Sequence, residues 1–252
     1  MNILIDIAVN LAAALIGFCL GLLWQTTRKY IRRRQARLFW KPFVNSDMKV
    51  VVAKFSTDRL QITTAEFTRY HAFEASGFLA VGDAMGLAEL RSYFDTLKLG
   101  GVEVSYADSV QGDSLKSNLI LIGGPNSNSV SREVLRRLDT KIVFDGIKIN
   151  DTHNKKVYSA LHTGKIESLS NIDRDYGVVI RAPNPFAPNK QVLLIAGSLA
   201  YGTWAGIRFA VSKQFMRDTV SSTDSSIECL IETDVLRGTP QHIRLLTSFP
   251  HR

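Results

Sequence analysis

The chain has 252 residues, 45% of them hydrophobic and 21% charged, which is enough apolar content for a buried core and excludes a disordered chain. Two cysteines, Cys19 and Cys229, exclude a disulfide-dense scaffold, and without a CxxC or a Cys/His cluster no metal site is expected. The net charge of +8 is local: seven cations and no acid lie between Arg28 and Lys41, leaving +1 for everything else, so no nucleic-acid partner is expected.

Ile7–Trp24 is eighteen residues without a charge. As a helix it measures about 27 Å, and about 33 Å if extended back to Ile3, against a hydrocarbon core of ~30 Å. Trp24 stands at its end, and the basic stripe follows directly. A cleaved signal peptide would need the cations first, and a core helix would not be apolar on every side at a terminus. The pattern therefore predicts a transmembrane anchor over 1–27, a basic juxtamembrane linker over 28–42 and a cytosolic α/β domain over 43–252. The positive-inside rule puts the N-terminus outside and the domain in the cytoplasm, at the inner membrane. Gly17 and Gly21 form a GxxxG pair, which suits helix packing and a homo-oligomer. Arg28–Lys41 suits the lipid bilayer as a partner, and Tyr30, Phe39 and Trp40 fit an interfacial helix.

Beyond Pro42 strands and helices alternate. Strands are expected at 48–55, 102–106 and 118–122, and helices at 64–73, 83–97 and 129–138. Asp145-Gly146 between two apolar runs predicts a hairpin. Tyr176–Arg181 and Gln191–Ala196 read as strands joined by a proline-rich loop, Ala182–Lys190; a helix from about Gly197–Thr203 to Phe215 and closing strands at 226–233 and 243–247 follow. The fold class predicted is α/β: a Rossmann-like domain with a mostly parallel sheet and an antiparallel extension. Thr219–Ser226 reads as a flexible loop.

Two strand-to-helix junctions carry the functional signal: Leu119–Ser129 (LILIGGPNSNS) and Leu193–Thr203 (LLIAGSLAYGT). In an open α/β sheet the ligand lies beyond the carboxyl ends of the strands, and helix starts attract anions. The candidate ligand-binding residues are Gly123, Gly124, Asn126, Asn128, Gly197, Ser198, Gly202 and Thr203, with a small anionic ligand such as a nucleotide expected. Ordinary turn chemistry explains the same glycines. Neither GxGxxG nor GxxxxGK[ST] is present, and no cofactor is indicated. Asp83, directly after a short apolar run, suits a ribose hydroxyl or a metal, and equally a helix N-cap, which is the reading favoured. Asn184 is a weaker candidate in the proline loop.

Catalytic patterns are sparse. There is no GxSxG and no HExxH, the five histidines are scattered, and Glu66 and Glu74 suit a solvated helix. Ser198 and Asp83 are the catalytic candidates if the chain is a hydrolase of nucleotides or nucleosides. A structural subunit without a small ligand is the third reading.

The order of anchor (Ile7–Trp24), basic linker and domain with junctions at Gly123–Asn128 and Gly197–Thr203 resembles membrane-anchored effectors of bacterial immune systems. Their Rossmann-like sensor domains are of the CARF or SLOG kind. The resemblance implies recognition of a nucleotide signal, self-association through the membrane helix and a defence response.

Overall fold

The structure is a computed structural model. It describes residues 2–44, 48–54, 79–99, 102–162, 172–218 and 226–250; within 2–44 the side chains of 2–10, 12, 28, 29, 31–35 and 44 are not described. The expected helix at 64–73 and the loop at 219–225 lie outside the described residues.

Helix α1 (Asn2–Val44) is followed by β1 (Met48–Val52), α2 (Val81–Leu97), β2 (Glu103–Tyr106) and β3 (Asn118–Ile122). Then come α3 (Ser129–Leu135), β4 (Ile142–Asp145), β5 (Lys148–Asp151), β6 (Lys156–Tyr158) and β7 (Leu161–His162). The chain continues through β8 (Ile172–Asn184), β9 (Ala187–Gly197), α4 (Ala200–Ala210), α5 (Lys213–Asp218), β10 (Ile227–Leu236) and β11 (Thr239–Pro250).

The main sheet runs β11-β10-β8-β9-β3-β1-β2, with β7 beside β8. Strands β2, β1, β3 and β9 are parallel; β9/β8, β8/β10, β10/β11 and β7/β8 are antiparallel. The sheet is thus mixed rather than mostly parallel. The long hairpin β8–β9 is the reason: Ala182–Lys190, expected as a loop, is largely strand, with Arg181 opposite Leu193 and Ala182 opposite Val192. The prolines sit where the ladder runs out near Asn184, which a strand end tolerates. Strand order reverses around β1, with β2 on one side and β3 on the other. In such sheets the crevice at the carboxyl ends is the usual ligand position.

Alternation along β3 divides the core. Ile120 and Ile122 join the face covered by α1, α2 and α4, while Leu119 and Leu121 join the face covered by α3 and the small sheet β4-β5-β6. Every residue of β3 is buried, as its apolar run Leu119–Ile122 requires, with Asn118 buried at its start. The Asp145-Gly146 turn links β4 to β5, with Gly146 at φ +60.

The membrane anchor is corrected. Among the described residues no helix is long and apolar enough to cross a membrane, which does not fit the expected single-pass inner-membrane placement. Helix α1 also does not end near the basic stripe. It runs unbroken to Val44, and Ala36, Phe39, Trp40 and Phe43 are buried in the domain core. Phe39 and Trp40 are therefore core residues, not interfacial ones. Trp40 meets Phe94 edge-on at 5.0 Å, and Phe39 meets Phe215 at 5.2 Å. The α1 side chains from Ala13 to Thr27 are exposed, and no atom of the described residues lies near the Cβ positions of Gly17 and Gly21, so that pair packs against nothing among them.

Candidate functional site

Three junctions converge at the carboxyl edge of the parallel strands. The start of α2 (Ala80–Asp83), the loop after β3 (Gly123–Ser127) and the turn after β9 into α4 (Gly197–Tyr201, Thr203) wall one cavity of about 470 Å³. Phe144, Gly146 and Ile147 of the β4–β5 hairpin form a further side, with Ile172 at the rim. That volume lies within the ~300–1,000 Å³ of small-molecule sites, and the mix of apolar wall with a few polar groups matches them.

The loop after β3 is held from below. Gly123 takes φ +103, a conformation open to glycine, and its N–H donates to Ile195 O at 2.9 Å. A Cβ there would stand 3.0 Å from the Ala53 Cβ and 3.3 Å from Ser127 Oγ, so the loop packs closely at this glycine. Ser131 Oγ donates to Gly123 O, and Arg132 Nε donates to Pro125 O, both at 2.8 Å. Gly124 differs: a Cβ there would make only ordinary contacts with Gly197 O, Ala196 and Phe144. A small side chain there fits without a clash.

Of the residues singled out in the sequence, Gly123, Gly124, Asn126, Gly197, Ser198 and Thr203 line the cavity, and Asp83 with them. Asn128 and Gly202 do not. Asn128 is the N-cap of α3: its Oδ1 accepts from Ser131 N at 3.0 Å, and its Nδ2 donates to Val51 O and Ile122 O. Gly202 is a packing glycine, where any Cβ would collide with the Tyr176 carbonyl. Asn184 lies at the far end of the sheet, donating to Leu115 O and Ser117 O and accepting from Phe186 N.

Asp83 is not the N-cap. Helix α2 begins at Val81 behind Ala80, which makes no side-chain cap. Asp83 instead lines the cavity wall, with 3% of its surface exposed. Oδ1 has no hydrogen-bond partner among the described residues, and Thr203 lines the cavity beside the carboxyl. Burial pushes its pKa up to about 6, against a smaller lowering by Thr203.

Ser198 is committed elsewhere. Its Oγ donates to Ile147 O in a short contact and accepts from Ala160 N at 3.2 Å, which pins the β4–β5 hairpin over the cavity. A hydroxyl so engaged is poorly placed as a nucleophile. Sequence reasoning missed Asp175, wholly buried on β8. Its carboxylate accepts from Tyr176 N (2.8 Å), Leu199 N (3.1 Å) and Gly202 N, and so caps α4 from a neighbouring strand. Burial pushes this carboxyl up to about 7, and the three backbone bonds oppose that. The α4 N-terminus thus already holds a carboxyl of the protein's own. No signal in the sequence tied Asp175 to a helix starting twenty-five residues later.

No Lys, Arg or His lines the cavity among the described residues, and no group of three His, Cys, Asp or Glu there is placed to hold a metal ion. Comparison with known proteins returned nothing: no family model, no curated protein and no solved structure matches the chain.

Proposed function

We propose that this chain is a small-molecule-binding domain of the sensor type, taking a nucleoside-sized ligand in the cavity at the carboxyl edge of the sheet. One observation carries the reading: three junctions distant in sequence, Ala80–Asp83, Gly123–Ser127 and Gly197–Thr203, wall a single cavity near the point where the strand order reverses. Binding is favoured over turnover because the Ser198 hydroxyl is engaged by Ile147 and Ala160 and no described histidine lines the cavity. An occupied site has a packed route to α1. Phe209 of α4 touches Phe215 of α5 (5.3 Å), which touches Phe39 of α1 (5.2 Å).

Native mass spectrometry of the purified full chain tests this against the hydrolase reading. A sensor retains an unaltered small molecule when incubated with ribonucleosides and ribonucleotides. Conversion of any of them to product, abolished in Asp83→Asn or Ser198→Ala, would establish the enzyme instead.

A further inference from the structure

We propose that Asp83 selects the ligand through its hydrogen-bond donors, and that the cavity takes an uncharged ribonucleoside-type molecule, vicinal hydroxyls on the Asp83 carboxylate, in preference to its phosphorylated form. The inference rests on reading the cavity as a ligand site. It departs from the anionic ligand that the glycine junctions suggest in the sequence.

Three features lead to it. Asp83 is almost wholly buried in the wall of the cavity, yet its Oδ1 has no partner among the described residues. A buried acceptor without a donor costs free energy until a donor arrives, so the apoprotein leaves this position for a hydroxyl or an amine to fill. Second, the start of α4 is already partly occupied by an acid of the protein's own, because Leu199 N and Gly202 N donate to Asp175. A phosphate there would face one carboxyl in the wall and another directly behind it. Third, no described cation lines the wall to offset that repulsion.

A ribose diol matches the need. One hydroxyl can donate to Oδ1, with Thr203 beside the carboxyl. Phe144, Ile147 and Leu199 offer apolar surface to a flat base, and Asn126 and Ser127 offer polar edges.

Isothermal titration of the full chain tests this with adenosine, guanosine, cytidine and uridine, each beside its 2′,3′-dideoxy counterpart and its 5′-monophosphate. At least one ribonucleoside is expected to bind. Its dideoxy form and the Asp83→Ala variant are expected to weaken binding about tenfold or more, and its monophosphate to bind no more tightly. Asp83→Asn, which keeps the shape and one acceptor, is expected to weaken it less, and its thermal melt shows that the fold persists. A ligand blocked by Gly124→Leu but indifferent to the diol, or tighter as the monophosphate, would overturn the inference and leave the cavity reading standing. Absence of binding by every compound, or equal binding to Gly124→Leu, would overturn both.

Discussion

The carboxylate of Asp175, on β8, accepts the backbone N–H of Gly202, in the first turn of α4. The same side chain takes Leu199 N and Tyr176 N, so one buried acid fixes the strand, the turn and the helix start that wall the cavity. Asp175→Ala leaves three buried donors without an acceptor, each worth ~1–3 kcal/mol. The expected loss is about 3 kcal/mol or more in urea unfolding, a much larger effect than at an exposed cap.

Glycines on the two sides of the cavity are expected to respond differently. A Cβ at Gly197 would collide with Leu199 O and the Thr203 amide, and one at Gly202 with Tyr176 O; all are backbone atoms that cannot swing away. Gly197→Ala and Gly202→Ala should each cost several kcal/mol, on the order of other severe overpacking. Gly124→Ala should change stability by less than about 1 kcal/mol, because its Cβ meets nothing closer than 3.8 Å. Thermal melts of the three variants check the contrast.

Stability should fall as pH rises through the weakly acidic range. The folded pKa of Asp83 stands at about 6 against an ordinary 3.8, and that of Asp175 at about 7, both raised by burial. Between 3.8 and these values the folded state holds more protons than the unfolded one, so the slope of stability with pH is negative. The penalty is complete above the folded values and vanishes below 3.8. For Asp83 a shift of about two units corresponds to roughly 3 kcal/mol. Asp83→Asn should therefore stabilise the ligand-free chain at pH 8 and flatten the profile between pH 4 and 6, measured as unfolding free energy at each pH.

The C-terminal end of α1 belongs to the core. Trp40 is 0% exposed, with Phe39, Phe43, Tyr93 and Phe94 around it. Trp40→Ala should cost ~3–5 kcal/mol. Leu38→Ala, on the exposed side of the same turn, should cost well under 1 kcal/mol. Chemical denaturation of the pair decides whether 36–43 acts as core or as a linker.

The legible parts of this fold were those set by local chemistry. The apolar run Leu119–Ile122 announced a central strand, Asp145-Gly146 a hairpin, and Gly123-Gly124 and Gly197 the turns at the cavity. What could not be read depended on distant partners. The character of Phe39 and Trp40 changed because α2 and α5 supply rings for them, and a purely local view left them beside cations as interfacial residues. Asp83 looked like a cap because an acid commonly starts a helix, but α2 begins two residues earlier and Asp83 lines the cavity wall. Asn128 looked like a ligand residue, and its amide instead ties together the ends of β1 and β3. The apolar run near the N-terminus was read by composition alone. The unbroken course of α1 into the core was not visible there, because a helix that leaves one environment and enters another carries no break in its periodicity.

The central claim is that the cavity between the three junctions holds a small molecule. Equilibrium dialysis of the full chain and of Gly124→Leu against the same radiolabelled ribonucleosides tests it most directly, since Gly124 lines the cavity and a Cβ there makes only ordinary contacts. The account predicts saturable one-to-one uptake by the wild-type chain and none by a folded Gly124→Leu. Equal uptake by both, or none by either, would contradict it.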